Sequence, residues 1–138
     1  HIVGDGSERT RIERLIVENG LEKRVILEGS KSNPYPYMKY ADLFVHPSYI
    51  ESQGLTVLEA MALGVPCVVT KSRGPCEFIE DGVNGLLTEQ SPESLTEKVL
   101  LITNNNTLYQ RIKETTKCPE PFDSGRVMKR IDAVIDGE

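Results

Sequence analysis

The chain has 138 residues, a formal charge of −5 and three cysteines. That length suits one domain with a real core, and the acidic balance argues against nucleic acid as a partner. No stretch approaches the roughly 20 continuous apolar residues of a bilayer span, the N-terminus lacks a leader pattern, and Cys67, Cys76 and Cys118 form no CxxC pair, so the expectation is a soluble cytoplasmic protein without a disulfide framework or zinc site.

His1-Ile2-Val3 opens as if partway along a strand and runs at once into Gly4-Asp5-Gly6, so the start is expected to be a cut within a larger fold. Ser7 is placed to cap a helix whose apolar stripe is Ile12, Leu15 and Ile16, with Gly20 just past its end. Val25-Ile26-Leu27, within Lys23 to Gly29, reads as a short buried strand. Two prolines make Ser30 to Pro36 a loop. A helical turn follows around Tyr37 to Ala41, and then a buried strand, Leu43-Phe44-Val45, ends in His46-Pro47-Ser48.

From Gly54 to Leu63 nearly every side chain is apolar and glycines bound the run, which predicts a short helix buried on most of its circumference. Thr56 and Glu59 interrupt it on one face near the N-terminus. A carboxylate there costs several kcal/mol, by rough magnitude, unless a polar group meets it. Glu51 precedes the helix on a loop, and the backbone amides between the two acids can open toward an anion. Two hydroxyl-binding acids flanking a phosphate is the arrangement this suggests. An ordinary ion pair of Glu59 with a Lys or Arg is the alternative.

Val65 to Thr70 is an apolar, β-rich run of buried-strand type. Gly74-Pro75 turns the chain, Glu77-Phe78-Ile79 is a brief helix candidate, Asp81-Gly82 and Asn84-Gly85 close it, and Leu86-Leu87-Thr88 is the last strand. The tail is helical, with stripes at Leu95, Val99 and Ile102, at Leu108 and Ile112, and at Val127, Ile131, Val134 and Ile135. Ser91 and Asp123 are the candidate caps. This alternation predicts an α/β domain, a doubly wound, mainly parallel Rossmann-like sheet with C-terminal helices, spanning residues 1–138 and truncated at the N-terminus. Ligands of such sheets bind beyond the strand carboxyl ends, which here are Gly4 to Gly6, the loop after Gly29, Ser48 to Gln53 and Lys71 to Gly74.

Gly4-Asp5-Gly6 reads as a tight turn rather than a dinucleotide fingerprint, because Arg9 stands where a third glycine would. His46 reads as a histidine satisfied by neighbouring backbone in preference to a phosphate contact. Lys71 and Arg73 read as solvated loop cations in preference to partners of a diphosphate.

Glu51-x7-Glu59 followed by Ala-Met-Ala-x-Gly-x-Pro-x-Val, with Ala41-Asp42 and Pro47-Ser48 upstream and Glu77-x-Ile-x-Asp-Gly-x-Asn-Gly-Leu-Leu downstream, resembles the C-terminal domain of the retaining group 1 (family 4) glycosyltransferases. The resemblance runs from His1 to about Ile102 and implies a glycosyltransferase-B fold, two Rossmann-like domains facing across a cleft. It implies a donor-binding domain for a nucleotide-diphosphate sugar, with the glycan or lipid-linked acceptor held through the missing N-terminal domain and no metal or other cofactor required. Carried over by position, Glu51 would contact hydroxyls of the donor sugar and be the catalytic residue of the set, positioning and stabilising rather than attacking. Glu59 would bind the ribose diol, the amides of Gly54, Leu55 and Thr56 would meet the diphosphate, and Ser30 and Lys31 would touch the base. Ser52-Gln53 departs from the family's usual Gly-Phe. The family's first strand and helix of this domain, with an Arg and a Lys that neutralise the diphosphate, would lie upstream of His1, so the fragment alone is expected to transfer little. Any association with the inner membrane surface would belong to the full-length protein. The alternatives are a non-catalytic nucleotide-binding or interaction module and a sugar-nucleotide 2-epimerase-like domain.

Overall fold

A computed structural model describes residues 1–117, Lys129 and Ile131. The chain divides into two units, His1–Tyr37 and Met38–Glu138.

In the first unit, β1 (Ile2–Val3) runs parallel to β2 (Leu27–Gly29), and α1 (Arg9–Glu18) makes the crossover. Ser7 does not cap α1. Glu8 occupies the N-cap position without a side-chain hydrogen bond, and Arg9 N–H bonds back to the Gly6 carbonyl at 3.1 Å. Gly20, at φ +64°, ends the helix as expected. Ile12 and Ile16 are half-buried, whereas Leu15 is exposed. The strand begins at Leu27 rather than Val25, because the N–H groups of Arg24 and Val25 are both tied to the Leu21 carbonyl in a turn. It is half-buried, and Ile26 just before it is exposed. Helix α2 (Tyr35–Lys39) starts inside the stretch expected to be loop. Pro36 fits its first turn, where the missing N–H has no helical partner to lose.

In the second unit, β3 (Phe44–His46), β4 (Cys67–Thr70) and β5 (Leu86–Thr88) form a parallel sheet in the order β3-β4-β5. Val45 pairs with Val68, and Val68 with Leu86. All four residues of β4 are buried. Successive side chains of a strand point to opposite faces, and β4 uses both. Cys67 and Val69 pack with Val57, Leu58, Ala60 and Met61 of α3 (Leu55–Ala62), while Val68 packs with Ile102 of α4 (Pro92–Asn104) and Ile112 of α5 (Asn106–Thr115). Helices on both faces of a parallel sheet make this the doubly wound α/β arrangement.

Helix α3 is built mainly from strong helix formers, with Thr56 and Val57 the exceptions, and stops where Gly64, at φ +73°, turns the chain. Gly64 N–H bonds to the Met61 carbonyl and Val65 N–H to that of Ala60, the paired bonds of a Schellman motif. The expected brief helix over Glu77 to Ile79 is a 3₁₀ turn two residues earlier, Pro75–Glu77. Ser91 caps α4 by accepting from Ser94 N–H at 3.1 Å, and Asn105 caps α5. Asp123 and the stripe residues Val127, Val134 and Ile135 lie outside the described residues; Ile131 is buried. No helix of the described residues is long and apolar enough to cross a membrane.

Candidate functional site

Because β3, β4 and β5 are parallel, the segments after them, 47–54, 71–74 and 89–90, leave from one edge. They are bonded to one another there. The Thr70 hydroxyl lies within hydrogen-bonding reach of the carbonyls of both His46 and Ser48, and Gln90 Nε2 donates to those of Tyr49 and Lys71 at 2.8 Å each. Gly74 N–H donates to the Glu51 carbonyl at 3.1 Å. Two of the four expected ligand-edge loops therefore do converge. The other two, around Gly4 and Gly29, belong to the first unit and are joined by the Gly4 N–H to Gly29 carbonyl bond at 2.8 Å.

Glu51 is the centre of this edge. Its Oε1 accepts from Gln53 N–H at 3.0 Å and Gly54 N–H at 2.9 Å, and its Oε2 lies 3.5 Å from His46 Nε2. The amides of Gly54 and Gln53, with His46 beside them, hold its carboxyl below the usual value of 4.5. Gly54, at φ +71°, is a glycine for two reasons. A side chain disfavours that backbone, and a Cβ there would meet Phe78 Cζ at 2.9 Å.

Gly54 thus spends its N–H on Glu51 rather than leaving it open to an anion. Leu55 and Thr56 head the helix, both exposed, at first-turn positions whose N–H groups have no partner within the helix. Glu59, one turn further along, is half-buried. Glu51, Gly54, Leu55, Thr56 and Glu59 accordingly occupy one loop and the helix start it leads into.

Ser30 and Lys31 belong to the first unit, where Ser30 is exposed. Lys31 Nζ lies 3.3 Å from Glu28 Oε2 and over the Tyr37 ring, and Tyr37 with Glu28 raises its pKa. Lys71 pairs with Glu89, and Arg73 is 89% exposed with Glu77 3.9 Å away, in keeping with solvated loop cations. Among the described residues no group of three or more His, Cys, Asp or Glu could hold a metal ion. A cavity of about 260 Å³ bordered by Asp42, Leu43 and Tyr109 opens at the amino end of β3, away from these loops.

His46 departs from what its sequence context predicts. Neighbouring backbone does not satisfy its ring: Nε2 is sealed from solvent and has no hydrogen bond. The alternation of β3 was the available signal. Phe44 and His46 share a face, pair with Cys67 and Val69, and so turn toward α3 and the loop that feeds it.

The family described as "Glycosyl transferases group 1" matches residues 1–118. The chain is 34% identical over 114 residues to the lipopolysaccharide core biosynthesis glycosyltransferase LpsE of Rhizobium meliloti, covering 82% of this chain and 34% of that protein. It is 36% identical over 110 residues to the poly(ribitol-phosphate) alpha-N-acetylglucosaminyltransferase of Staphylococcus aureus, covering 78% of this chain and 22% of that protein. The crystal structure of Anabaena HepE in complex with UDP superposes with a TM-score of 0.78 at 28% identity, over 99% of this chain and 40% of HepE. The chain thus spans only 34% and 22% of the length of these two curated relatives.

Proposed function

Since the chain belongs to the group 1 glycosyltransferases, we propose that it is the donor-binding part of a retaining enzyme that moves a sugar from a nucleotide diphosphate to a glycan or lipid-linked acceptor. The observation that carries this reading is the Glu51 carboxylate, tethered by the amides of Gln53 and Gly54 directly before the N-terminus of α3. An acid that accepts from sugar hydroxyls and a helix start that favours an anion are the two halves of a sugar-diphosphate site. The likeness to HepE, crystallised with UDP, supports a nucleoside diphosphate as the anion.

In this reading Leu55 and Thr56 N–H meet the diphosphate, Glu59 accepts from the ribose diol, and Glu51 accepts from the donor sugar. The bond from the anomeric carbon to the diphosphate oxygen breaks while the acceptor oxygen bonds to that carbon on the same face, and the acceptor proton passes to the departing phosphate. Glu51 orients and stabilises; it forms no bond to the sugar. The reading invokes no resident metal and places the reaction on the cytoplasmic side, where the acceptor reaches the site through a second domain. The 138-residue chain alone is expected to transfer little.

The test is transfer by the full-length gene product carrying Glu51→Gln, which keeps an acceptor oxygen for the two amides and removes the charge. Turnover is expected to fall at least about 100-fold with nucleoside diphosphate affinity little changed. Near-normal turnover would sink the role given to Glu51.

A further inference from the structure

We propose that His46 is the positioning residue of this site: its Nε2–H takes one lone pair of Glu51 Oε2 and so leaves a single, fixed lone pair to accept from the donor sugar. The inference rests on the donor-site reading above and adds how the acid is aimed. Four acceptor directions are available on a carboxylate. Oε1 has both of its directions filled by the N–H groups of Gln53 and Gly54, at 3.0 and 2.9 Å. Oε2 faces His46 Nε2 at 3.5 Å, just beyond a good hydrogen bond.

His46 is held for such a task on each side. Its backbone is the last residue of β3, in register with Val69, and its carbonyl lies 3.2 Å from the Thr70 hydroxyl. Its ring stacks on Phe44, with centroids 6.1 Å apart and planes 16° off parallel. Its Nε2 is buried with no hydrogen-bond partner, and a buried polar nitrogen left so is costly. Glu51 is the group that ends this cost, since closing the gap by a few tenths of an ångström makes a charge-assisted bond. A donor hydroxyl arriving at Oε2 then finds one direction open instead of two, which selects one rotation of the sugar.

A carboxylate pinned at one oxygen only would still bind the nucleotide, because the diphosphate and ribose contacts lie on α3. Loss of His46 should therefore appear in turnover. In the full-length enzyme, His46→Phe keeps a ring to stack on Phe44 and removes both nitrogens. It is expected to lower kcat about 10- to 100-fold, as loss of a hydrogen bond to a charged group would, with the KM for donor and the affinity for UDP changed less than about threefold. His46→Gln, which returns an N–H donor, should recover part of kcat. Placed in a Glu51→Ala background, His46→Phe should cost nothing further, because its partner is gone.

Unchanged kcat in His46→Phe, or an equal fall in the Glu51→Ala background, overturns the positioning role. The failure of the donor-site reading looks different: wild-type enzyme would then bind no UDP and transfer no sugar, whatever stands at position 46.

Discussion

A Cβ on Gly74 would lie 2.7 Å from the carbonyl carbon of Gln53 and 2.8 Å from its nitrogen, so the loops after β3 and β4 touch backbone to backbone. Gly74 has an ordinary φ of −60°, and the absence of a side chain, not a special backbone, is what the contact requires. Gly74→Ala must push the 51–53 loop aside and strain the Gly74 N–H to Glu51 carbonyl bond. Thermal melts are expected to show a loss of about 1–3 kcal/mol, with donor affinity falling alongside. Unaltered melting and affinity would mean the loop yields freely.

Glu51 should give the protein a pH signature. The amides of Gly54 and Gln53, and then His46, depress its folded pKa below 4.5, so over that interval the unfolded state binds more protons. Its contribution is present above the unfolded value and is lost as pH falls through the folded one. Glu51→Gln should therefore melt below wild type at neutral pH, with the difference closing as pH drops below 4.5. A difference that stays constant or widens with acid contradicts the amide cage.

Strong local signals carried the second unit. Leu86–Thr88 is the strand its composition predicts, and Ser91 caps α4 because serine, proline and a helical stripe all fall in register. The bounds of α3 lie within a residue of the glycine-flanked apolar run. The misses occurred where backbone geometry outranked side-chain preference. Ser7 lost the cap to an earlier turn at Gly6, Val25 was held in a turn by the Leu21 carbonyl, and Pro36 proved compatible with a first helical turn. At the site, the acids flanking an anion-favouring helix start were legible from spacing. That Gly54 N–H turns back onto Glu51, and that His46 faces the same carboxylate, needed the fold of the 47–54 loop.

Core and site are separable by mutation. Ile102 is fully buried on the α4–α5 face of β4, with Val68, Leu86 and Ile112, opposite the face that carries α3. Ile102→Ala is expected to cost about 2–5 kcal/mol in denaturant unfolding, through lost burial and the cavity left behind. Folded protein at low temperature should keep its nucleoside diphosphate affinity. Affinity lost in step with stability would show that the two faces of the sheet are coupled.

The cysteines offer a check on β4 that needs no ligand. Burial pushes the Cys67 thiol up to about 12, and its Sγ lies 3.2 Å from the Val65 carbonyl, whereas Cys76 is exposed after the Gly74 turn. Alkylation proceeds through the thiolate and needs access, so both factors protect Cys67, whereas Cys76 is open to the reagent. In a Cys118→Ser background, a thiol-alkylating reagent at mildly alkaline pH should label Cys76 on the folded chain and reach Cys67 only when denaturant is added. The protection should fade over the same denaturant range in which the fold is lost, because Cys67 sits between Val57 and Met61 of α3 and the sheet. Equal labelling of both thiols in the native protein would place β4 at a surface, and with it would go the buried central strand on which the Glu51 loop is hung.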